Sequence, residues 1–441
     1  MSFPEINFSK QREAIRRAPV YRVKGKVKEL TGLIVKAVVP NVRVGELCFI
    51  QIQNLNKTIK AEVVGFKDKD VLLMPLGDLE GIGPGNDVLP TGDCLRVPVG
   101  DKLRGRVLDG LGDPVDVDTK GPIEPDDYYP VNNTPPDPLK RRRITQPISV
   151  GVKAIDAMLT TGEGQRVGIF AAAGVGKSTL MGMIARNTEA EINVICLVGE
   201  RGRELRDFIE HDLGEEGLQR SVVICSTSDQ PSLVRAKAAY VATAIAEYFR
   251  DQGRKVLLMM DSVTRFARAL REIGLAVGEP PARQGFTPSV FSTLPKLLER
   301  TGNSDKGSIT AFYTVLVEGD DMNEPVADEV RSILDGHIVM SRDLANQGHY
   351  PAINVSESVS RVMTNIVSEE HNFAARKLKE VVANYEKERD LILIGAYESG
   401  SNPAVDYAIE MIEPVNEFLK QRVDEKEELQ DSVQEMIDLF E

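Results

Sequence analysis

The sequence contains no tryptophan, and aromatic residues make up only 5% of it. Proteins that grip single-stranded nucleic acid by base stacking need aromatic platforms set among basic side chains, and no such strip is present. Positive charge is also in deficit, with 54 Lys and Arg against 67 Asp and Glu for a net −13. That balance excludes a surface that coats nucleic acid throughout. Cysteine is scarce and scattered: Cys48, Cys94, Cys196 and Cys225 show no metal-ligand spacing, and only four histidines accompany them. A structural zinc site is excluded, and a reducing compartment is expected. Cys196 and Cys225 lie in apolar runs and read as buried thiols. No stretch approaches the ~18 apolar residues of a membrane span. The opening MSFPEINFSKQREAIRR is polar within a few residues and lacks a signal-peptide core, so a cytoplasmic location is expected.

What is present suits a large globular protein. Hydrophobic residues are 42% and charged residues 27% of 441 positions, enough for a buried core and several domains. Residues 1–20 read as an arm or helix, basic enough to meet a partner or an anionic lipid but read foremost as a solvated arm. From 21 to 97, short apolar runs such as GKVKEL, LCFIQIQ and DVLLMPL alternate with turn residues, predicting a small β-barrel. A Pro- and Asp-rich linker follows, and its KRRR run, Lys140 to Arg143, reads as a solvated domain edge rather than a nucleic-acid patch. Over 98–373, linker included, apolar strands such as RVGIFA, INVICLVG and KVLLMMD alternate with helical stretches, predicting a mostly parallel sheet covered on both faces. Residues 374–441 read as helical, with Val405, Ala408, Ile409, Ile412, Val415, Leu419 and Val423 in one stripe, and Pro414 is expected to split it into two helices.

The strongest chemical signal is Ala171-Ala-Ala-Gly-Val-Gly-Lys-Ser178, between the strand RVGIF and the helix TLMGMIAR. It fits the phosphate-loop pattern G-x-x-x-x-G-K-[ST] except that Ala171 replaces the first glycine. Gly174, Val175, Gly176, Lys177, Ser178 and Thr179 are therefore read as the nucleotide-binding segment. Two glycines let backbone N–H groups curl around phosphate oxygens, and a helix N-terminus adds positive potential. Lys177, expected to face solvent until phosphate arrives, would reach the β/γ-phosphates, and the Ser178 hydroxyl would ligate Mg2+. A magnesium-bound ATP also needs a carboxylate at a neighbouring strand tip, which KVLLMMD supplies as Asp261. The strand INVICLVG delivers Glu200 to the same edge, a candidate to orient or deprotonate water. Arg201 beside it would contact phosphate or hold that carboxylate. Glu204, one turn on, reads as solvated or capping.

The segments GIFAAAGVGKST, VGERGRELRDFIE, the long run VLLMMDSVTRFARALREIGLAVGEPPARQGFTPSVFSTLPKLLER and INVSESVSRVM resemble the export ATPases of type III secretion systems, which are similar to catalytic subunits of rotary ATP synthases. The resemblance spans nearly the whole chain. It implies an α/β fold with a RecA-like P-loop ATPase core, an N-terminal β-barrel and a C-terminal helical domain. It further implies a homohexamer with ATP between neighbours, Glu200 as catalytic carboxylate and Asp261 as the Walker B acid. Arg361, on residue type alone one surface arginine among many, matches the arginine finger. Tyr350, which by itself equally fits a ring covering the core beside Pro351, matches the aromatic residue that packs on adenine. The loop from Gly278 to Gly285 falls where the family places a ring-lining loop.

The implied function is the ATP-hydrolysing motor of type III protein secretion, energising chaperone release, unfolding and export. The implied partners are stator and central stalk proteins and chaperone–substrate complexes, with peripheral association at the cytoplasmic face of the inner membrane through partners and no nucleic acid. The flagellar export ATPase is the near alternative. A rotary synthase catalytic subunit is disfavoured by GERGRE in place of GERTREG, and an RNA translocase by charge and aromatic content.

Overall fold

The computed structural model describes residues 23–318 and 321–441. The arm expected over 1–20 lies outside them. The chain forms two compact units, dividing between Cys94 and Leu95.

In the first unit, six strands, β1 (Gly25–Thr31), β2 (Ile34–Val38), β3 (Leu47–Ile52), β4 (Lys57–Lys67), β5 (Asp70–Pro75) and β6 (Asp87–Pro90), close into a barrel in the order β1-β2-β5-β4-β3-β6. All neighbours are antiparallel, so side chains alternate in and out. In β3 the inward set is Cys48, Ile50 and Ile52, which meets Ile59, Ala61 and Val63 of β4 in a single apolar core. Closure leaves no unpaired strand edge.

The second unit begins earlier than the boundary at 97 expected from the strand pattern. Leu95 to Val97 belong to it, because β7 (Arg96–Val99) pairs with β9 (Asp127–Pro130) in a two-stranded sheet of its own. The Pro-rich linker is thus partly built into structure, and β8 (Val107–Asp109) joins the edge of the main sheet. The KRRR run is largely exposed, as expected of a solvated edge, with Arg141 alone half-buried, and two of its side chains are also tied down. Arg141 Nη1 donates to the Thr301 carbonyl at 2.7 Å, and Arg142 Nε to that of Ser304 at 3.1 Å.

The main sheet adds β10 (Arg166–Ala171), β11 (Ile192–Glu200), β12 (Ser221–Thr227), β13 (Lys255–Asp261), β14 (Gly302–Asn303), β15 (Ser308–Leu316), β16 (Gly336–Met340) and β17 (Ile353–Ser360). Its order is β17-β16-β10-β15-β13-β11-β12-β8, with β14 paired off β15. From β16 to β8 every pairing is parallel, and β17 runs antiparallel at the edge. The central strands are buried along nearly their whole length, as continuous apolar runs require when both faces are covered.

The C-terminal helices Glu369–Leu393, Pro403–Leu419 and Leu429–Asp438 share the apolar core of this sheet through Leu378, Val415, Phe418 and Met436, among others. The boundary drawn at Ala374 falls inside the first of them. Pro414 does not split the second, which runs unbroken from Pro403 to Leu419. A helical proline costs about 3 kcal/mol, and burial of Val405, Ala408, Val415, Phe418 and Leu419 on one face outweighs it. Ile409 and Val423, assigned to that stripe, are exposed.

Candidate active site

Because β10, β11, β13 and β15 are parallel, their C-terminal tips share one edge of the sheet, where ligands of open α/β sheets bind. β10 ends at Ala171, which is fully buried and paired with Leu316. The residue at the consensus glycine position is therefore ordinary extended strand, and its methyl group is accommodated. The turn that follows uses Gly174 at φ +84° and Gly176 at φ +92°, conformations that glycine alone adopts without strain. Gly176 caps the Lys177–Asn187 helix, whose first backbone N–H groups point into the edge.

Lys177 is not solvent-facing as the sequence suggested. Its ammonium pairs with the Asp261 carboxylate, and both side chains are largely buried, 12% and 5% exposed. Asp261 is the last residue of β13 and also accepts a 2.6 Å hydrogen bond from the Thr314 hydroxyl on β15. Lysine and carboxylate neutralise each other. Ser178 follows, exposed, and Thr179 is half-buried.

Glu200 closes β11, where the register against β12 shifts between Val198 and Glu200 and Gly199 takes φ +68°. A side chain on Gly199 would meet that of Arg265 at 3.3 Å. Arg265 stands in the first turn of the Val263–Val277 helix, whose cap Ser262 accepts its backbone N–H. Its Nε lies 3.7 Å from Glu200 Oε1 and, though buried, has no hydrogen-bond partner among the described residues. Burial first, and then the Asp261 charge, push the Glu200 carboxyl up to about 7, with Lys177 and Arg265 opposing. Arg201, the neighbour nominated to hold this carboxylate, is 79% exposed and pairs with Glu204 at 3.3 Å instead. Arg265 is the cation that faces Glu200, and with Thr314 it was not singled out from sequence.

Tyr350 flanks the phosphate loop from the other side. Its ring comes within 3.7 Å of where a Gly176 side chain would begin, and it is 47% exposed, leaving a face open. Arg361 is not part of this cluster. It follows β17, its backbone N–H donates to the Asp335 carbonyl at 3.0 Å, and its guanidinium to that of Arg331 at 3.2 Å. The structure therefore gathers Gly174, Gly176, Lys177, Asp261, Glu200 and Tyr350 at one edge and leaves Arg201 and Arg361 outside.

Residues 151–360 match the ATP synthase alpha/beta family nucleotide-binding domain, 27–92 that family's beta-barrel domain, and 367–438 the T3SS EscN ATPase C-terminal domain. The flagellum-specific ATP synthase of Bacillus subtilis (strain 168) is 55% identical, with 96% of each chain covered. The type 3 secretion system ATPase of Xanthomonas euvesicatoria is 53% identical over 96% of this chain and 95% of its own. This chain belongs to the type III export ATPase family. The solved structure of the assembled ATPase EscN from the type III secretion system of enteropathogenic E. coli superposes with a TM-score of 0.89 at 47% identity, covering 94% of this chain and 99% of that one. The export ATPase thus has the expected barrel, nucleotide-binding core and helical C-terminal region, and its substrate is a nucleotide. No helix among the described residues is long and apolar enough to cross a membrane.

Proposed function

We propose that this export ATPase works as a homohexameric ring whose active sites are completed between neighbours, hydrolysing ATP to drive chaperone release, unfolding and export of secreted proteins. The observation that carries this reading is the separation of Arg361 from its own Lys177. Arg361 is tied to Asp335, which pairs with Arg166 at the start of β10, whereas the phosphate loop follows that strand's other end. An arginine so placed serves a neighbour's nucleotide if it serves one at all, and an arginine supplied in trans stabilises transition-state charge.

Within one subunit, the loop N–H groups from Gly174 to Lys177 hold phosphate, and Lys177 leaves Asp261 for the β/γ-phosphates. A single carboxylate and a hydroxyl are the donors that Mg2+ takes when phosphates supply its other ligands. Asp261 and Ser178 are those oxygen donors, and the ion would draw charge from the phosphates. Tyr350 covers the adenine. Glu200 takes a proton from the attacking water as its oxygen bonds to the γ-phosphorus and the bond to the β-phosphate oxygen breaks. A carboxylate whose proton affinity is raised toward neutrality is a better base than an ordinary glutamate.

A relative solved with its central stalk EscO, at a TM-score of 0.86, supports a stalk partner on the ring axis. Stator contacts, chaperone docking on the C-terminal helices and recruitment to the cytoplasmic face of the inner membrane belong to the same proposal. Relatives named for flagella and for secretion systems match almost equally, at 55% and 53%, so the site described is the chemistry common to both. The test is ATPase rate per subunit against protein concentration, with mass determined alongside. A rate that rises with a six-fold species supports the ring, and a constant rate from a monomer refutes it.

A further inference from the structure

The buried side chain of Gln421 is hydrogen-bonded at both ends between the nucleotide site and the helical region. It lies just past the Pro403–Leu419 helix and is 5% exposed. Its backbone N–H donates to the Tyr350 carbonyl at 3.0 Å. Its side-chain oxygen accepts the Lys153 N–H at 2.8 Å, and its amide nitrogen donates to the carbonyls of Gly151 and Glu425 at 3.0 and 3.1 Å. Both ends of the amide are thus engaged, so its orientation is fixed and its backbone cannot drift. Two residues on, the Val423 carbonyl accepts from Arg186 Nη2 at 2.8 Å, and Arg186 lies on the helix that starts at Lys177.

We propose that Gln421 is a positioning residue for the base side of the nucleotide site. It pins the carbonyl of Tyr350, and through Val423 and Arg186 it fixes that ring against the phosphate-loop helix. The ring is 47% exposed, so burial alone does not fix it, and the backbone tether sets the gap between ring and loop. The tether also runs directly into the Pro403–Leu419 helix, so any partner that shifts this helix alters adenine affinity without touching the phosphates. The inference rests on Tyr350 being the base-packing residue.

The test uses the full-length protein and three variants: Gln421→Met, which keeps shape and removes both amide groups, Gln421→Glu, which aims an anion at two carbonyl oxygens, and Tyr350→Ala. ATP kinetics are compared with inhibition by inorganic tripolyphosphate, which has no base. Both Gln421 variants are expected to raise KM for ATP roughly tenfold with kcat within about twofold, the signature of lost uniform binding. Tripolyphosphate inhibition is expected to stay unchanged. Equal weakening of ATP and tripolyphosphate, as a damaged fold would give, overturns the proposal. An unchanged KM in the Gln421 variants beside a raised KM in Tyr350→Ala also overturns it while keeping Tyr350 in the site. An unchanged KM in Tyr350→Ala removes Tyr350 itself.

Discussion

Arg361 and Lys177 stand at opposite ends of the same strand. Arg361 bonds to Asp335, Asp335 grips Arg166 at the start of β10, and Lys177 opens the helix beyond the turn that follows Ala171. Six residues of strand at roughly 3.3 Å each separate them, more than an arginine side chain spans. Every prediction about cooperation between subunits descends from that distance.

Lys177→Ala is expected to lower ATP turnover by at least about a hundredfold, since the lysine meets the transferring phosphoryl group. It also removes the cation beside Asp261, leaving a buried carboxylate with Thr314 as its hydrogen-bond donor. The variant should therefore be less stable without nucleotide, by about 1–3 kcal/mol. Thermal unfolding beside an ATPase assay checks both effects. An unchanged turnover would remove the lysine from the site.

Thr314→Val keeps the shape and drops the 2.6 Å bond to Asp261. The carboxylate then loses its fixed orientation, and turnover is expected to fall about tenfold, because a metal-ligating carboxylate depends on the hydrogen bond that orients it. The readout is the Mg2+ concentration needed for half-maximal rate, which should rise. A normal Mg2+ dependence would show that Asp261 needs no such support.

The raised proton affinity of Glu200 sets a pH profile. A base must be ionised, so kcat/KM should fall as pH drops through about 7, where this carboxyl takes up its proton. Arg265 opposes that protonation, so Arg265→Ala is expected to move the acid limb to higher pH. Glu200→Gln should bind nucleotide and lose turnover. An acid limb near the ordinary glutamate value would place the base elsewhere.

A fully buried ion pair lies away from the site. Arg300 and Glu247 are 2% and 0% exposed and share two bonds of 2.8 and 2.7 Å. Glu247→Ala strands a buried guanidinium and should cost about 3–5 kcal/mol, while replacing both partners with apolar residues should cost less. Unfolding curves of the single and double variants decide it.

The parts of this molecule that were legible in its sequence are those set by local pattern. The phosphate loop, the strand that delivers Asp261 and the bend at Glu200 each lie within one short segment, where glycines and apolar runs dictate backbone geometry. Arg265 and Thr314 were not legible, because each matters through a partner 65 or 53 positions away that only the sheet order brings near. Arg201 was misplaced for the same reason. Adjacency in sequence suggested that it holds Glu200, but the strand end turns it outward to Glu204. Pro414 shows tertiary packing overriding a local rule through an apolar face, and Arg141 and Arg142 find carbonyls at Thr301 and Ser304 that no local pattern announces.

The most direct test of a shared site mixes two inactive variants. Lys177→Ala and Arg361→Ala are each expected to be nearly inactive alone. In a mixed ring, an Arg361→Ala subunit keeps its phosphate loop and receives the intact Arg361 of a Lys177→Ala neighbour. Random mixing in equal amounts should restore on the order of a quarter of the sites, as expected for a ring with head-to-tail interfaces. Native mass spectrometry confirms that mixed rings have formed. Recovered ATPase activity in those rings is the predicted result. Mixed rings without activity, or full activity in Arg361→Ala alone, would contradict it.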